Sequence, residues 1–147
     1  MEARRSAVTI WQGDLLSGTG EVSSATSDHL RGVPVSWASR TEDPQGRTSP
    51  EELLAAAHSA CFSMAMSGRL AKAGHTAERL EVRAEVTFEK RDAGWAVARS
   101  ALSVRGRVPG ADEATFREAA EGARDGCPIS QALKGNVDLS VTATLEA

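Results

Sequence analysis

Apolar positions recur at helical spacing across one long stretch, Thr48 to Gly74 (TSPEELLAAAHSACFSMAMSGRLAKAG), which predicts a single helix over 49–73. Ser49 can cap its start, Pro50 suits the first helical position, and Glu52 completes a capping-box pattern three residues after the cap. Gly74 supplies the left-handed turn that ends it. Leu53, Ala57, Cys61, Met64 and Gly68 follow one another at intervals of four, four, three and four, so they share a face, expected to be the buried one. After the helix the period changes to two. Leu80, Val82, Ala84, Val86 and Phe88 alternate with polar residues over 80–90, predicting a half-buried strand. Arg91 to Gly94 reads as a hairpin turn, and 95–108 as its returning partner. Asp112 is placed to cap a helix over 113–125, which Gly126 ends; a short helix follows over 129–134. Val137, Leu139, Val141, Ala143 and Leu145 alternate strictly, predicting a last strand.

The N-terminal third is patterned more weakly. Residues 5–13, 22–25 and 34–38 read as short strands of a meander, separated by turn signals at Gly13-Asp14 and Ser17 to Gly20. Arg40 to Thr48, broken by Pro44 and Gly46, reads as a surface loop leading to the long helix. The order predicts a single α+β domain over 1–147: a meander over 1–38, the central helix, then hairpin, helices and final strand over 78–147. Antiparallel sheets with helices packed on one face are the expected architecture. The meander is short for a free-standing unit, so it is expected to pair with further strands, including those of a second subunit.

Composition narrows the function. A chain of 147 residues, 41% hydrophobic and 25% charged, can bury one core. A net charge of −3 and an aromatic content of 4% argue against nucleic-acid binding. No apolar run approaches the ~20 residues of a membrane span, and MEARRSAVTIWQGD lacks a signal-peptide core, so a cytoplasmic location is expected. Two cysteines 66 positions apart do not suit a disulfide framework or a structural zinc site, and His29, His58 and His75 add no metal-like pair. Neither a metal nor another cofactor is expected. Each cysteine is either a small buried hydrophobe or one member of a reactive pair. Cys127 precedes Pro128 at the start of the short helix, where free amides favour a thiolate. Cys61 lies in mid-helix on an apolar face, where burial favours the thiol unless a cation approaches. Local electrostatics therefore favour Cys127 as the reactive group.

The stretch PEELLAAAHSACFSMAMS, followed by GCPISQALKGNV, resembles the OsmC/Ohr family of organic hydroperoxide reductases over nearly the whole chain. The resemblance implies an OsmC-like fold with sheets packed around the central helix in an intertwined homodimer. It implies that Cys61 attacks the peroxide and Cys127 resolves it to a disulfide, reversing the ranking from local electrostatics. It also implies an arginine held by a glutamate, matched here by Arg40 and Glu51. An arginine in the loop before the helix marks the OsmC branch; the Ohr branch has one near the N-terminal turn, where this chain reads Ser17-Gly18-Thr19-Gly20. Arg47 is a rival for the arginine role. The implied substrate is an organic hydroperoxide and the implied reductant a dithiol such as lipoyl groups.

Helix geometry adds a constraint. Glu51 and Cys61 are separated by ten residues, about 15 Å along a helix axis, so Arg40 and Glu51 are expected to serve Cys61 from the other subunit of a dimer. His58, three residues before Cys61, suits a Cys–His pair or, more simply, a hydrogen-bonded core histidine. Leu53, Leu54, Phe62, Met64 and Met66 could line an apolar pocket. Rival readings are a non-catalytic redox sensor or small-molecule binder on the same fold, and an acyl-thioester protein of hot-dog type, which would not need both cysteines.

Overall fold

The computed structural model describes residues 1–147, which divide into two compact units, Met1–Leu53 and Leu54–Ala147.

The first unit is built on an antiparallel sheet, β1 (Ala7–Gln12), β2 (Thr19–Ser24) and β3 (Val33–Val35), in that order. The predicted meander is present. Its β1–β2 turn is held by Asp14, whose carboxylate accepts from the Leu16 and Ser17 amides at 2.9 Å each. Gly18 is required there: a Cβ would stand 2.3 Å from the Asp14 carbonyl oxygen and 2.8 Å from the Trp11 ring. Every residue of β1 is exposed. The expected surface loop over 40–48 differs at its start, where Ala38–Thr41 forms a short helix, α1. Ser39 stabilises that turn by donating to the Ser36 and Thr48 carbonyls at 2.8 and 2.7 Å. Arg40 therefore projects from a helical turn tied to the chain that enters the long helix.

That long helix, α2 (Pro50–Lys72), is unbroken and passes from the first unit into the second. Ser49 caps it, its hydroxyl accepting from the Glu52 amide at 3.1 Å. The reciprocal half of the capping box is absent, because Glu52 takes a 2.6 Å hydrogen bond from the Thr48 hydroxyl. Gly74, at φ 86°, closes the C-terminus as expected, with the His75 amide bonded back to the Leu70 carbonyl at 2.9 Å. The predicted face is displaced. The fully buried residues of α2 in the second unit are His58, Phe62, Met66 and Leu70, spaced by four. Ala57 and Gly68 are exposed, Met64 is 74% exposed, and Cys61 lies at the edge of the buried stripe. A helix apolar on several sides does not declare which side packs, and the histidine in the true stripe disguised it.

In the second unit β4 (Arg79–Arg91) and β5 (Gly94–Arg107) form the predicted hairpin, with Phe88 and Trp95 stacked at 4.8 Å. Helix α3 (Glu113–Gly126) starts at Asp112, which caps the Thr115 amide at 2.7 Å. It does not stop at Gly126 by a left-handed turn. Cys127 is extended (φ −66°, ψ 142°), ending α3 and capping α4 (Pro128–Leu133) in one step, because the proline ring disfavours a helical residue before it. The last strand, β6 (Asp138–Leu145), corrects the expected topology: it runs parallel to β5. The two helices between them carry the chain back to the starting end of β5, so β6 runs in the same sense. Leu102 and Val104 of the sheet meet Phe62, Met66 and Leu70 of α2 and Phe116, Ala120 and Ala123 of α3 in one apolar core. Each large side chain buried there contributes roughly 1.5–3 kcal/mol. No helix is long and apolar enough to cross a membrane.

Candidate active site

The four residues singled out from the sequence fall into two pairs, Arg40 with Glu51 in the first unit and Cys61 with Cys127 in the second.

Arg40 leaves α1 and meets Glu51 in the first turn of α2. Its Nη2 donates to Glu51 Oε1 at 2.7 Å and its Nε to both carboxylate oxygens at 3.2 Å. The carboxylate side chain is only 8% exposed and the guanidinium 26%. A forked arrangement with both partners largely out of water is stronger and more directional than a surface ion pair. Trp37 adds its ring face, 5.4 Å from the Arg40 guanidinium carbon; the sequence did not reveal that role. Arg47, the rival arginine, is exposed, and Glu51 pairs with Arg40. Arg40 also borders a cavity of about 350 Å³ whose walls include Trp11, Leu15, Val35, Trp37 and Leu53. Of the five residues expected to line an apolar pocket, only Leu53 does so here; Phe62 and Met66 are core, and Met64 faces solvent.

Neither cysteine is in a disulfide; Cys61 is half-buried and Cys127 buried. Burial pushes the Cys61 thiol up from its ordinary value. The Ile129 backbone opposes this, while the neighbouring Cys127 side chain raises it further. The Pro128 turn thus presents a backbone group and the second sulfur to Cys61 together. A thiol in this setting needs an added positive charge to become a strong nucleophile.

Behind Cys127 lies a buried polar chain that the sequence did not disclose. The Cys127 thiol donates to Ser130 Oγ at 3.1 Å, and the Ser130 amide donates to the sulfur at 3.3 Å. Ser130 Oγ is 2.8 Å from His58 Nε2, and His58 Nδ1 is 2.7 Å from Ser100 Oγ. All four residues are inaccessible to solvent. His58 does not form the direct Cys–His pair considered for Cys61; it is the core histidine of the simpler reading, with both ring nitrogens satisfied. The available signal was its place four residues before Phe62, on the stripe that packs. No group of three or more His, Cys, Asp or Glu side chains is placed to hold a metal ion.

The family model described as OsmC-like protein matches residues 42–142. The chain is 43% identical over 129 residues to Peroxiredoxin OsmC of Escherichia coli K12, covering 88% of this chain and 89% of that protein. It is 32% identical over 101 residues to an organic hydroperoxide resistance protein of Xanthomonas axonopodis pv. citri, covering 65% of this chain and 66% of that one. Its fold is similar to that of an OsmC-like protein from Mycoplasma pneumoniae, with a TM-score of 0.74 at 15% identity over all of both chains.

Proposed function

The chain belongs to the OsmC-like protein family, and on that premise we propose that it is a cysteine-based peroxidase that reduces organic hydroperoxides to alcohols in oxidative-stress defence. The observation that carries this reading is the pairing of the two thiols: Cys61, half-buried at the edge of α2, lies against Cys127 on the Pro128 turn.

The Cys61 thiolate attacks the terminal oxygen of the hydroperoxide. An S–O bond forms, the O–O bond breaks, and the alkoxide leaves as the alcohol after taking a proton; Cys61 becomes a sulfenic acid. The Cys127 sulfur then attacks the Cys61 sulfur, forming the disulfide as hydroxide leaves and is protonated to water. A dithiol reductant, with lipoyl groups as the favoured class, supplies two electrons and restores both thiols. No metal, flavin or haem enters this cycle.

The cation that Cys61 needs is Arg40, held in position by Glu51. Since Glu51 and Cys61 are ten residues apart on an unbroken helix, about 15 Å along its axis, Arg40 of the partner subunit serves Cys61 in a homodimer with two sites at its interface. The exposed apolar side chains Val8, Ile10 and Leu16, at 55, 64 and 76%, are consistent with a surface that a second copy covers. The apolar cavity beside Arg40 favours alkyl or fatty-acid hydroperoxides over hydrogen peroxide.

The deciding experiment is stopped-flow consumption of cumene hydroperoxide with dihydrolipoamide as reductant. Wild type is expected to turn over many times. Cys61→Ser is expected to consume no peroxide, and Cys127→Ser to consume one equivalent and stall as the sulfenic acid. Turnover by Cys61→Ser with none by Cys127→Ser would reverse the two roles. A single stoichiometric oxidation of wild type, without turnover, would make the protein a redox sensor.

A further inference from the structure

The resolving step has a requirement that the peroxide chemistry leaves open. Cys127 must lose its proton as it attacks, yet it is inaccessible to water. The chain of side chains behind it supplies a path. The Cys127 S–H points to Ser130 Oγ at 3.1 Å, Ser130 lies 2.8 Å from His58 Nε2, and His58 Nδ1 lies 2.7 Å from Ser100 Oγ.

We propose that His58 and Ser130 form a proton relay for the resolving thiol, with Ser100 holding the imidazole in the tautomer that can accept. One set of hydrogens satisfies every contact: Cys127 donates to Ser130, Ser130 donates to Nε2, and Nδ1–H donates to Ser100. In the transfer the Cys127 S–H bond breaks and its proton goes to Ser130 Oγ. The Ser130 proton passes to His58 Nε2, which becomes an imidazolium. The freed electron pair on Cys127 sulfur forms the S–S bond to the oxidised Cys61 sulfur, whose S–O bond breaks to release hydroxide. The proton on His58 then returns along Ser130 to the hydroxide released beside the cysteines, completing a water molecule and restoring the neutral imidazole. The net change is one thiol and one sulfenic acid to one disulfide and one water.

Two further observations fit this assignment. His58 is among the few polar side chains buried in the core, and both its contacts are neutral hydroxyls. Burial also holds it below the usual imidazole range, so at neutral pH it is in the unprotonated form that can accept. His58 acts through Ser130 and is a positioning and relay residue for Cys127; it does not touch the peroxide.

The sulfenic-acid step of this inference rests on the peroxidase reading, so the test has two arms. In the first, reduced wild type, His58→Gln and Ser130→Ala are mixed with one equivalent of cumene hydroperoxide. Sulfenic acid is trapped with dimedone and free thiols are counted after an acid quench. In the second, the disulfide is driven by diamide, which oxidises Cys61 without peroxide and still requires Cys127 to attack. The relay predicts unchanged sulfenic-acid formation in the peroxide arm, and disulfide formation slowed about 10²-fold in both variants and both arms, the lower end of general-base effects. It also predicts that raising the pH recovers the rate in the variants, as hydroxide replaces the relay as the base, while wild type changes little. Disulfide rates within about twofold of wild type in both variants would overturn the relay. So would slowing that high pH does not relieve, since that marks lost packing. If peroxide leaves wild-type Cys61 unoxidised, the peroxidase reading fails, and the diamide arm alone then upholds or overturns the relay by the same criteria.

Discussion

At His58, both ring nitrogens meet hydroxyls and the ring has no solvent exposure, so the folded chain resists its protonation. The unfolded chain takes up that proton as the pH falls through about 6.5. Below that value the unfolded state binds more protons than the folded one, and stability falls with falling pH until the folded imidazole also titrates. Asp14 and Asp112 are held low by hydrogen bonds from Ser17 and Thr115. Their contributions are present above the unfolded carboxylate value and vanish only below about pH 4, a separate window. Urea unfolding between about pH 7.5 and about pH 5 should therefore show wild type losing stability where His58→Gln loses much less. Equal slopes for the two proteins would assign the acid sensitivity to other groups. Cys61 has the opposite sign: its raised value keeps the thiol protonated in the fold, so stability is lost as pH rises past the unfolded thiol's value.

Among the elements, the contact between α3 and β5 is set by a glycine. A Cβ at Gly106 would stand 2.5 Å from Phe116 Cε2 and 2.9 Å from Leu80 Cδ2, with the Phe116 ring fully buried. The absence of a side chain at Gly106 lets the ring lie directly on the strand. Gly106→Ala should cost about 1–3 kcal/mol by overpacking, measured by denaturant unfolding. Trimming the ring with Phe116→Leu in the same chain should recover part of that loss, a non-additivity that marks direct contact. A cost below about 0.5 kcal/mol for Gly106→Ala alone would mean that the ring shifts freely. The same economy of side chain operates at Gly122 on the other side of α3, where the Arg69 guanidinium lies over the backbone.

For the whole molecule, the proposed partition of the site between two chains gives a subunit-mixing test. Arg40→Ala and Cys61→Ser homodimers should each be inactive. Unfolding and refolding them together in equal amounts yields half hybrids, each with one complete site built from Cys61 of one chain and Arg40 of the other. Peroxide turnover should then return to about a quarter of wild type. Hybrids that stay inactive would mean that each chain uses its own arginine. Sedimentation of the wild type should report a dimer over the concentrations of the assay.

Periodicity alone determined most of the elements. The period of 3.6 over Pro50–Lys72, the alternation over Arg79–Arg91 and Asp138–Leu145, and the Asp112 and Ser49 caps are local features, and local physics reads them directly. The Cys61 and Cys127 motifs were legible as a resemblance, and the family comparisons bear that resemblance out. The packing decided the rest. Which stripe of α2 is buried depends on what the sheet and α3 present to it, so a helix rich in Ala, Leu and Met admits several answers and the one chosen from spacing was displaced. The parallel sense of β6 depends on where α3 and α4 return the chain, which alternation cannot encode. The Ser100–His58–Ser130–Cys127 chain joins residues up to 72 positions apart. Each of them is unremarkable in its own segment; only burial in one core, where every polar group must find a partner, turns them into a path for a proton.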